Sequence, residues 1–366
     1  MSTALTGPNS DLGLTMKLGV EVCFENVNQQ GGIGGRPIHL IAYDDGYEPE
    51  RTVPNMRRLI DNDGVLAVVG NVGTPTAIAA VPIANAKKTL LYGAFTGARV
   101  LRRQPPDRYV INYRASYDEE TSAMVRYLVD TVGVSVDEIA FFTQSDGYGD
   151  AGFAGGLAAL RHHGLQSPGR VLHVRYARNT LDVEWALAQL LDAATPPKAV
   201  IMIGAYAPCA RLIELARQHA FTAIFMNVSF VGSDSLADAL GERGDGVIVT
   251  QVVDHFDSSA PGIEAYRRCL REYGGGAKPS HLSLEGYVAA RLFVEGLRRI
   301  AGPISRESII DALESIGDVD LGLGWPLSLS REDHQASHQV WFTRIENGVV
   351  VPFPSGPGMV PGGGTR

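Results

Sequence analysis

Residues 65–97 read VLAVVGNVGTPTAIAAVPIANAKKTLLYGAFTG, and this stretch decides the fold. Two short apolar runs, VLAVVG and TLLYGA, flank a segment whose apolar residues recur with helical spacing. The pattern predicts a β-α-β unit with two parallel strands. Both strands run directly into small and hydroxyl-bearing residues. Because ligands of open parallel sheets bind beyond the carboxyl ends of the strands, these strand exits are the first candidate site.

Each of the two exits carries a threonine. Thr74 precedes Pro75 at the predicted helix start, where we expect it to be the N-cap, and Thr96 follows the second strand. The first-turn N–H groups and the helix dipole place a partial positive charge at such a start, which suits a carboxylate. Capping alone also explains a threonine at this position, so the residues by themselves leave both roles open.

Alternating strands and helices organise the chain twice over. A length of 366 residues suits two domains. The alternation, which includes a predicted strand at 38–43, begins again near residue 118 and predicts two doubly wound α/β lobes joined by a multi-strand hinge. A late hairpin is predicted at Asn347-Gly348. The predicted ranges are 1–115 with 254–325 for lobe 1, 116–250 with 326–352 for lobe 2, and 353–366 for a disordered tail rich in Gly and Pro.

Composition and motifs exclude several functions. The net charge of −8 argues against a nucleic-acid partner or an anionic membrane surface. Three scattered cysteines form neither a disulfide framework nor a CxxC metal site. The chain contains no GxSxG, HExxH or P-loop lysine motif. We therefore expect no enzyme activity, no catalytic residues, no cofactor and no metal.

Six stretches together resemble type I periplasmic solute-binding proteins of the leucine/isoleucine/valine-binding branch, the substrate-binding components of ABC importers. The resemblance covers nearly the whole chain and implies the periplasmic-binding-protein type I fold, in which two lobes close over a small molecule. The stretches are LTGP (5–8), NQQGGIGGRP (28–37), YDD (43–45), VGN (69–71), SDGYG (145–149) and EGY (285–287).

The resemblance also implies ligand contacts. In the first lobe, Thr74, Ala94 and Thr96 correspond to the residues that hold the carboxylate and ammonium of the ligand. In the second lobe, Tyr148 and Tyr206 correspond to tyrosines that close over it, although rim tyrosines with half-buried rings would fit the same pattern. The apolar contacts are expected from Leu12, Val72, Phe95 and Leu282.

The chain departs from the family pattern at several positions. Ser229 stands where amino-acid-binding members often carry an acid for the ligand ammonium. A desolvated ammonium needs a compensating charge, which Asp146 or Glu285 could supply, although Glu285 could equally cap a helix. Tyr47 and Gly73 occupy the positions of a disulfide that some members contain.

These residues lead to one expected function and two alternatives. We expect a monomeric extracytoplasmic receptor that binds a small carboxylate, a branched-chain or other apolar amino acid, and delivers it to the membrane permease of an ABC importer. Ser229 favours an amine-free aromatic or aliphatic acid instead. The chain starts at Met1 within an apparent first strand and shows no signal segment, which would suit a cytoplasmic sensor of the same fold. We expect a periplasmic protein whose signal peptide was removed, or whose start was placed late.

Overall fold

The computed structural model describes residues 1–353, which form two compact units. The first unit contains residues 1–114 and 253–339, and the second contains residues 115–252 and the described residues from 340 onwards. The segment 326–339 therefore belongs to the first unit and not, as predicted, to the second lobe. The backbone explains this, because the N–H of Asn112 bonds to the carbonyl of His334 and the N–H of Ser337 to that of Tyr113.

Strands and helices alternate along most of the chain. The strands are β1 (Ser2–Thr3), β2 (Tyr43–Asp44), β3 (Ala67–Val69), β4 (Leu90–Tyr92), β5 (Val110–Ile111), β6 (Ile139–Gln144), β7 (His173–Tyr176), β8 (Ala199–Ile203), β9 (Ile224–Asn227), β10 (Ile248–Gln251), β11 (Gly317–Val319), β12 (Leu327–Leu329), β13 (Trp341–Glu346) and β14 (Val349–Pro352). The helices are α1 (Ser10–Gln29), α2 (Pro49–Arg57), α3 (Thr74–Ala86), α4 (Tyr117–Arg126), α5 (Gly147–His162), α6 (Glu184–Leu191), α7 (Tyr206–Gln218), α8 (Ser233–Leu240), α9 (Pro261–Tyr273), α10 (His281–Arg298) and α11 (Arg306–Glu314). No helix within residues 1–353 has the length and apolar character needed to cross a membrane.

The second unit is built on a seven-stranded sheet of order β14-β13-β10-β9-β8-β6-β7. The five strands from β10 to β7 are parallel, and the β13-β14 hairpin adds two antiparallel strands. Every residue of β6 and β8 is buried, as expected for parallel strands covered on both faces. Asn347 and Gly348 have φ values of 52° and 74°, which a type I′ turn requires, so the predicted hairpin is confirmed.

The first unit contains the parallel sheet β3-β4-β5, the parallel pair β1-β2 and the antiparallel pair β11-β12. Pairing continues beyond β3 and β4, since Val72 and Phe95 form a parallel bridge and the N–H of Gly73 bonds to the carbonyl of Phe95. The stretch predicted to be a strand at 38–43 is mostly irregular, and only Tyr43 pairs as part of β2. The strand exits quoted above are thus held side by side.

Helices α1 and α10 of the first unit approach each other through glycines. A Cβ added to Gly19 would lie 2.1 Å from the carbonyl oxygen of Ser283, and one added to Gly286 would lie 2.5 Å from that of Met16. Such contacts exclude any side chain at either position. The two helices therefore pack with their backbones close together.

The predicted tail 353–366 falls almost entirely outside the described residues. Only Phe353 is described, and its N–H bonds to the carbonyl of Phe342 at 3.0 Å.

Candidate functional site

The two threonines of the first unit meet at the strand exits. Helix α3 begins at Thr74, but its N-cap is Gly73, whose φ is 103°, so the prediction that Thr74 is the N-cap is wrong. The Thr74 hydroxyl instead lies 2.7 Å from that of Thr96, and both residues are buried. The positive φ of Gly73 turns the chain after β3. Gly73 is therefore the N-cap, and the Thr74 hydroxyl contacts that of Thr96 at the exit of β4.

This threonine pair has the chemistry of a carboxylate site. The first N–H groups of an α-helix have no partner within the helix and carry a partial positive charge. Hydroxyl groups can donate to a carboxylate at the same place. Thr76, one residue beyond Pro75, has a different role, because its hydroxyl donates to the carbonyls of Val72 and Gly73 at 2.5 and 2.9 Å and so closes the turn.

The apolar candidates of the first unit are all buried. Val72 and Phe95 are bridged to each other and adjoin the threonine pair, and Ala94 precedes Phe95 in the same exit. Leu12 lies in the first turn of α1, and Leu282 is the second residue of α10. The structure thus joins the exit residues directly and places the two leucines at the N-terminal ends of helices in the same unit.

In the second unit, Tyr148 lies in the first turn of α5, where the Asp146 carboxylate caps the helix by accepting from the Tyr148 N–H at 3.0 Å. The Tyr148 hydroxyl donates to the carbonyl of Gly204 at 3.3 Å. Its ring centroid lies 4.6 Å from that of Phe230 and 5.4 Å from that of Tyr117. Tyr148 is fully buried, so it is not a rim tyrosine with a half-buried ring.

Tyr206 is the first residue of α7 and directly follows the exit of β8. It is half-buried and packs against the hydrophobic core of the second unit. The Tyr148 hydroxyl reaches the carbonyl of Gly204, two residues before Tyr206. The exits of β6 and β8 therefore bring both predicted tyrosines to one edge of the sheet.

Ser229 follows β9 and contacts a carboxylate that sequence reasoning missed. Its N–H donates to Oε2 of Glu120 at 2.7 Å, and the hydroxyl of Thr250 donates to the same oxygen at 2.6 Å. Glu120 lies on α4 and is fully buried. The neighbouring Glu119 completes a capping box with Ser116, and that box is the one local signal that the helix starts here.

The two acids considered as partners for a ligand ammonium both have other partners. Asp146 caps α5, accepts from Nε2 of Gln144 at 2.7 Å and lies 3.4 Å from the guanidinium of Arg178. Glu285 forms an ion pair with Arg114, with 3.5 Å between Oε1 and Nη1.

Arg114 is a second residue that sequence reasoning missed. It is buried three residues beyond the end of β5, and its guanidinium carbon lies 4.9 Å from the ring centroid of Phe95. The guanidinium is attracted to the face of the Phe95 ring, which lies next to the threonine pair. An arginine shortly after an apolar strand was the available signal in the sequence.

Comparison with known proteins identifies the family. The family model described as periplasmic binding protein matches residues 1–349. The chain belongs to the periplasmic binding protein family. The crystal structure of a possible leucine/isoleucine/valine-binding protein from Rhodopirellula baltica is 50% identical, with a TM-score of 0.94 over 97% of this chain and 95% of that one. The predicted type I fold is thereby confirmed.

Curated relatives of this periplasmic binding protein are more distant. The Leu/Ile/Val-binding protein homolog 7 of Brucella abortus is 24% identical over 352 residues, which are 91% of this chain and 85% of that protein. A protein of Pseudomonas aeruginosa called amino acid binding protein is 25% identical over 289 residues, which are 78% of this chain and 73% of that protein. These relatives are binding proteins by name, as the sequence resemblance implied. Within residues 1–353 of this periplasmic binding protein, no group of three His, Cys, Asp or Glu side chains is placed to hold a metal ion.

Proposed function

We propose that the protein is a monomeric periplasmic receptor that binds an apolar amino acid, branched-chain ones above all, and presents it to the permease of an ABC importer. The observation that carries the proposal is the hydroxyl pair of Thr74 and Thr96, 2.7 Å apart at the start of α3. Hydroxyls and helix N–H groups are suitable donors to a carboxylate. The names of the relatives from Brucella and Pseudomonas support the ligand class.

Each unit has its own role in this proposal. The first unit holds the ligand carboxylate and ammonium at Thr74, Ala94 and Thr96. Its apolar contacts are Leu12, Val72, Phe95 and Leu282. The second unit contributes Tyr148, Tyr206 and Ser229.

The test replaces the two hydroxyls while keeping the shape of the side chains. Hydrogen bonds to a charged group contribute about 1.5–3 kcal/mol each, so Thr74→Val and Thr96→Val should each weaken leucine binding by roughly tenfold or more. Isothermal titration calorimetry measures the change.

The matched control is Thr89→Val. Thr89 is also buried, but it lies just before β4, at the opposite end of the strand that leads to Thr96, and its hydroxyl donates to the carbonyl of Lys87. This variant should bind leucine as the unaltered protein does. Equal affinities in all three variants would refute the carboxylate assignment.

A second candidate function is supported by the second unit. Ser229 provides no charge, and the ring of Tyr148 packs at a tilt against two other aromatic rings, with its centroid 5.4 Å from that of Tyr117 and 4.6 Å from that of Phe230. Such a surface suits an amine-free aromatic or aliphatic acid. A ligand at 100 times its Kd adds about 2.7 kcal/mol to stability, so a thermal-shift panel of leucine, 4-methylpentanoate and benzoate separates the two candidates. A rise with leucine alone supports the amino-acid receptor, and a rise only with the amine-free acids supports the second candidate.

A further inference from the structure

We propose that Arg102 is a positioning residue of the carboxylate site, which holds the Thr96 hydroxyl in place through the main chain of residues 96–98. The inference rests on the proposed function, in which the hydroxyls of Thr74 and Thr96 bind the ligand carboxylate. It names the group that keeps this pair in its binding arrangement.

The Thr96 hydroxyl is held by the turn that follows it. Its oxygen accepts from the N–H of Ala98 at 3.3 Å and lies 2.7 Å from the hydroxyl oxygen of Thr74. A hydroxyl that accepts a hydrogen bond becomes a stronger donor, because neighbouring bonds in a chain polarise one another. The main chain of residues 96–98 therefore sets both the position and the donor strength of the Thr96 hydroxyl.

The guanidinium of Arg102 binds the same turn. Nη1 donates to the carbonyls of Thr96 and Ala98 at 3.3 and 3.1 Å. Nη2 donates to the carbonyl of Arg114 at 2.8 Å, and Nε donates to Oε1 of Gln335 at 2.6 Å. This side chain thus joins the turn after β4 to the segments around Arg114 and Gln335, which belong to the same unit.

An arginine suits this set of contacts better than a lysine. A guanidinium carries its donors in a rigid planar fork, whereas the lysine ammonium is a point charge at the end of a flexible stem. Lysine at position 102 would keep the positive charge but could not reach all of these acceptors at once. Arg102→Lys therefore separates the positioning role from a direct attraction between the charge and a ligand carboxylate.

Arg306 provides a matched control at the other end of the same strands. Its guanidinium donates to the carbonyls of Ile60, Val65 and Lys87 at 3.2, 3.1 and 3.5 Å. Val65 and Lys87 precede β3 and β4, so these contacts lie at the opposite ends of the strands from the exits. Both arginines are partly buried. Arg306→Lys should thus lower stability, as Arg102→Lys does, without changing the carboxylate site.

The experiment is a double-mutant cycle between Arg102→Lys and Thr96→Val. Isothermal titration calorimetry measures the affinities for leucine and for 4-methylpentanoate, which is leucine without its amino group. Arg102→Lys should weaken binding of either ligand by about fivefold, because both carry the carboxylate and a correctly placed hydroxyl contributes about tenfold or more. In the Thr96→Val background the same substitution should change the affinity by less than about twofold, since the hydroxyl that Arg102 positions is gone.

Two further variants separate this role from charge and from general stability. Arg306→Lys should leave the affinity within about twofold in both backgrounds, although its contacts resemble those of Arg102. Arg102→Gln removes the charge as well and should weaken binding by about the same factor as Arg102→Lys, which provides a second variant if the lysine variant folds poorly. Thermal unfolding of each variant shows that folded protein is being titrated.

The outcomes distinguish this inference from the proposed function. If Thr96→Val weakens binding but Arg102→Lys does not, or if the two effects add in the double variant, the positioning role is overturned while the receptor function stands. If Thr96→Val leaves the affinity unchanged, or if the unaltered protein binds neither ligand, both proposals are overturned. A loss in Arg102→Lys that disappears in the Thr96→Val background supports both.

Discussion

Replacing Glu285 by glutamine tests how strongly the first unit depends on a buried ion pair. Glu285 Oε1 lies 3.5 Å from Nη1 of Arg114, and the two side chains are 5% and 1% exposed. The substitution removes the negative charge but keeps the size of the side chain. An arginine stays charged at any pH at which the protein is folded, so the guanidinium cannot escape the change by losing its proton.

The expected cost follows from this burial. Removal of one partner from a buried pair destabilises a protein by about 3–5 kcal/mol, because the attraction within the pair no longer offsets the cost of burying the remaining charge. The ring of Phe95, whose centroid lies 4.9 Å from the guanidinium, offsets a part of that cost, so we expect about 3 kcal/mol. For a unit of this size each kcal/mol corresponds to about 2–4 °C, which gives a fall in melting temperature of roughly 6–12 °C.

Thermal and urea unfolding followed by circular dichroism measure the effect. The control is Asp61→Asn, which breaks an exposed pair of the same unit, in which Lys87 Nζ lies 2.9 Å from the Asp61 carboxylate and the side chains are 45% and 42% exposed. Exposed pairs contribute less than about 1 kcal/mol, so this variant should melt almost normally. The double variant Arg114→Met with Glu285→Met should be more stable than Glu285→Gln, since neither member of this pair is then a buried charge. A shift for Glu285→Gln no larger than that of the control would refute the reasoning.

Further predictions concern a buried histidine and a glycine. Burial lowers the pKa of the His281 imidazole to about 3. The neutral imidazole therefore contributes its full stability above about pH 6.5, and this stability is lost as the pH falls toward 3. Between pH 7.5 and pH 5 the free energy of unfolding should fall by about 2 kcal/mol. The melting temperature of His281→Phe should therefore fall less over this range than that of the unaltered protein, and equal falls would contradict the assignment. Gly73→Ala should lower the melting temperature by several degrees, because φ is 103° and the added Cβ would lie 2.1 Å from Cε2 of Tyr47; an unchanged melting temperature would show that the turn after β3 relaxes freely.

Local signals in the sequence predict most of the secondary structure. β8 occupies the five apolar residues Ala199–Ile203, because a short buried apolar run that ends in small residues has few alternatives to a strand. The stretch 38–43 shows where this reasoning fails. There the side chain of Asn28 accepts from the N–H of Ile38 at 2.7 Å and donates to its carbonyl at 2.9 Å. A side chain thus satisfies the backbone groups that a strand would have used, and residue patterns alone do not reveal such a bond.

Only a part of the candidate site could be predicted, because some of its contacts join residues that are far apart in the sequence. Thr74 and Thr96 each stand next to an apolar strand, so a local pattern places them at the carboxyl ends of neighbouring strands. The partners of Glu120 are 109 and 130 residues away, at Ser229 and Thr250. Which face of α4 meets those residues depends on how the helix packs on the sheet. No spacing within the sequence encodes that contact.

In the proposed function, each unit supplies different ligand contacts, and this division bears on selectivity. The donors at Thr74 and Thr96 suit a carboxylate, which amino acids and amine-free acids share, so they cannot tell the two classes apart. Selection between the classes has to come from groups that respond to the ammonium. Ser229 is neutral. Of the two acids that the sequence offers as partners for an ammonium, Asp146 caps α5 and Glu285 pairs with Arg114. The carboxylate that adjoins Ser229 is that of Glu120, which accepts from the Ser229 N–H.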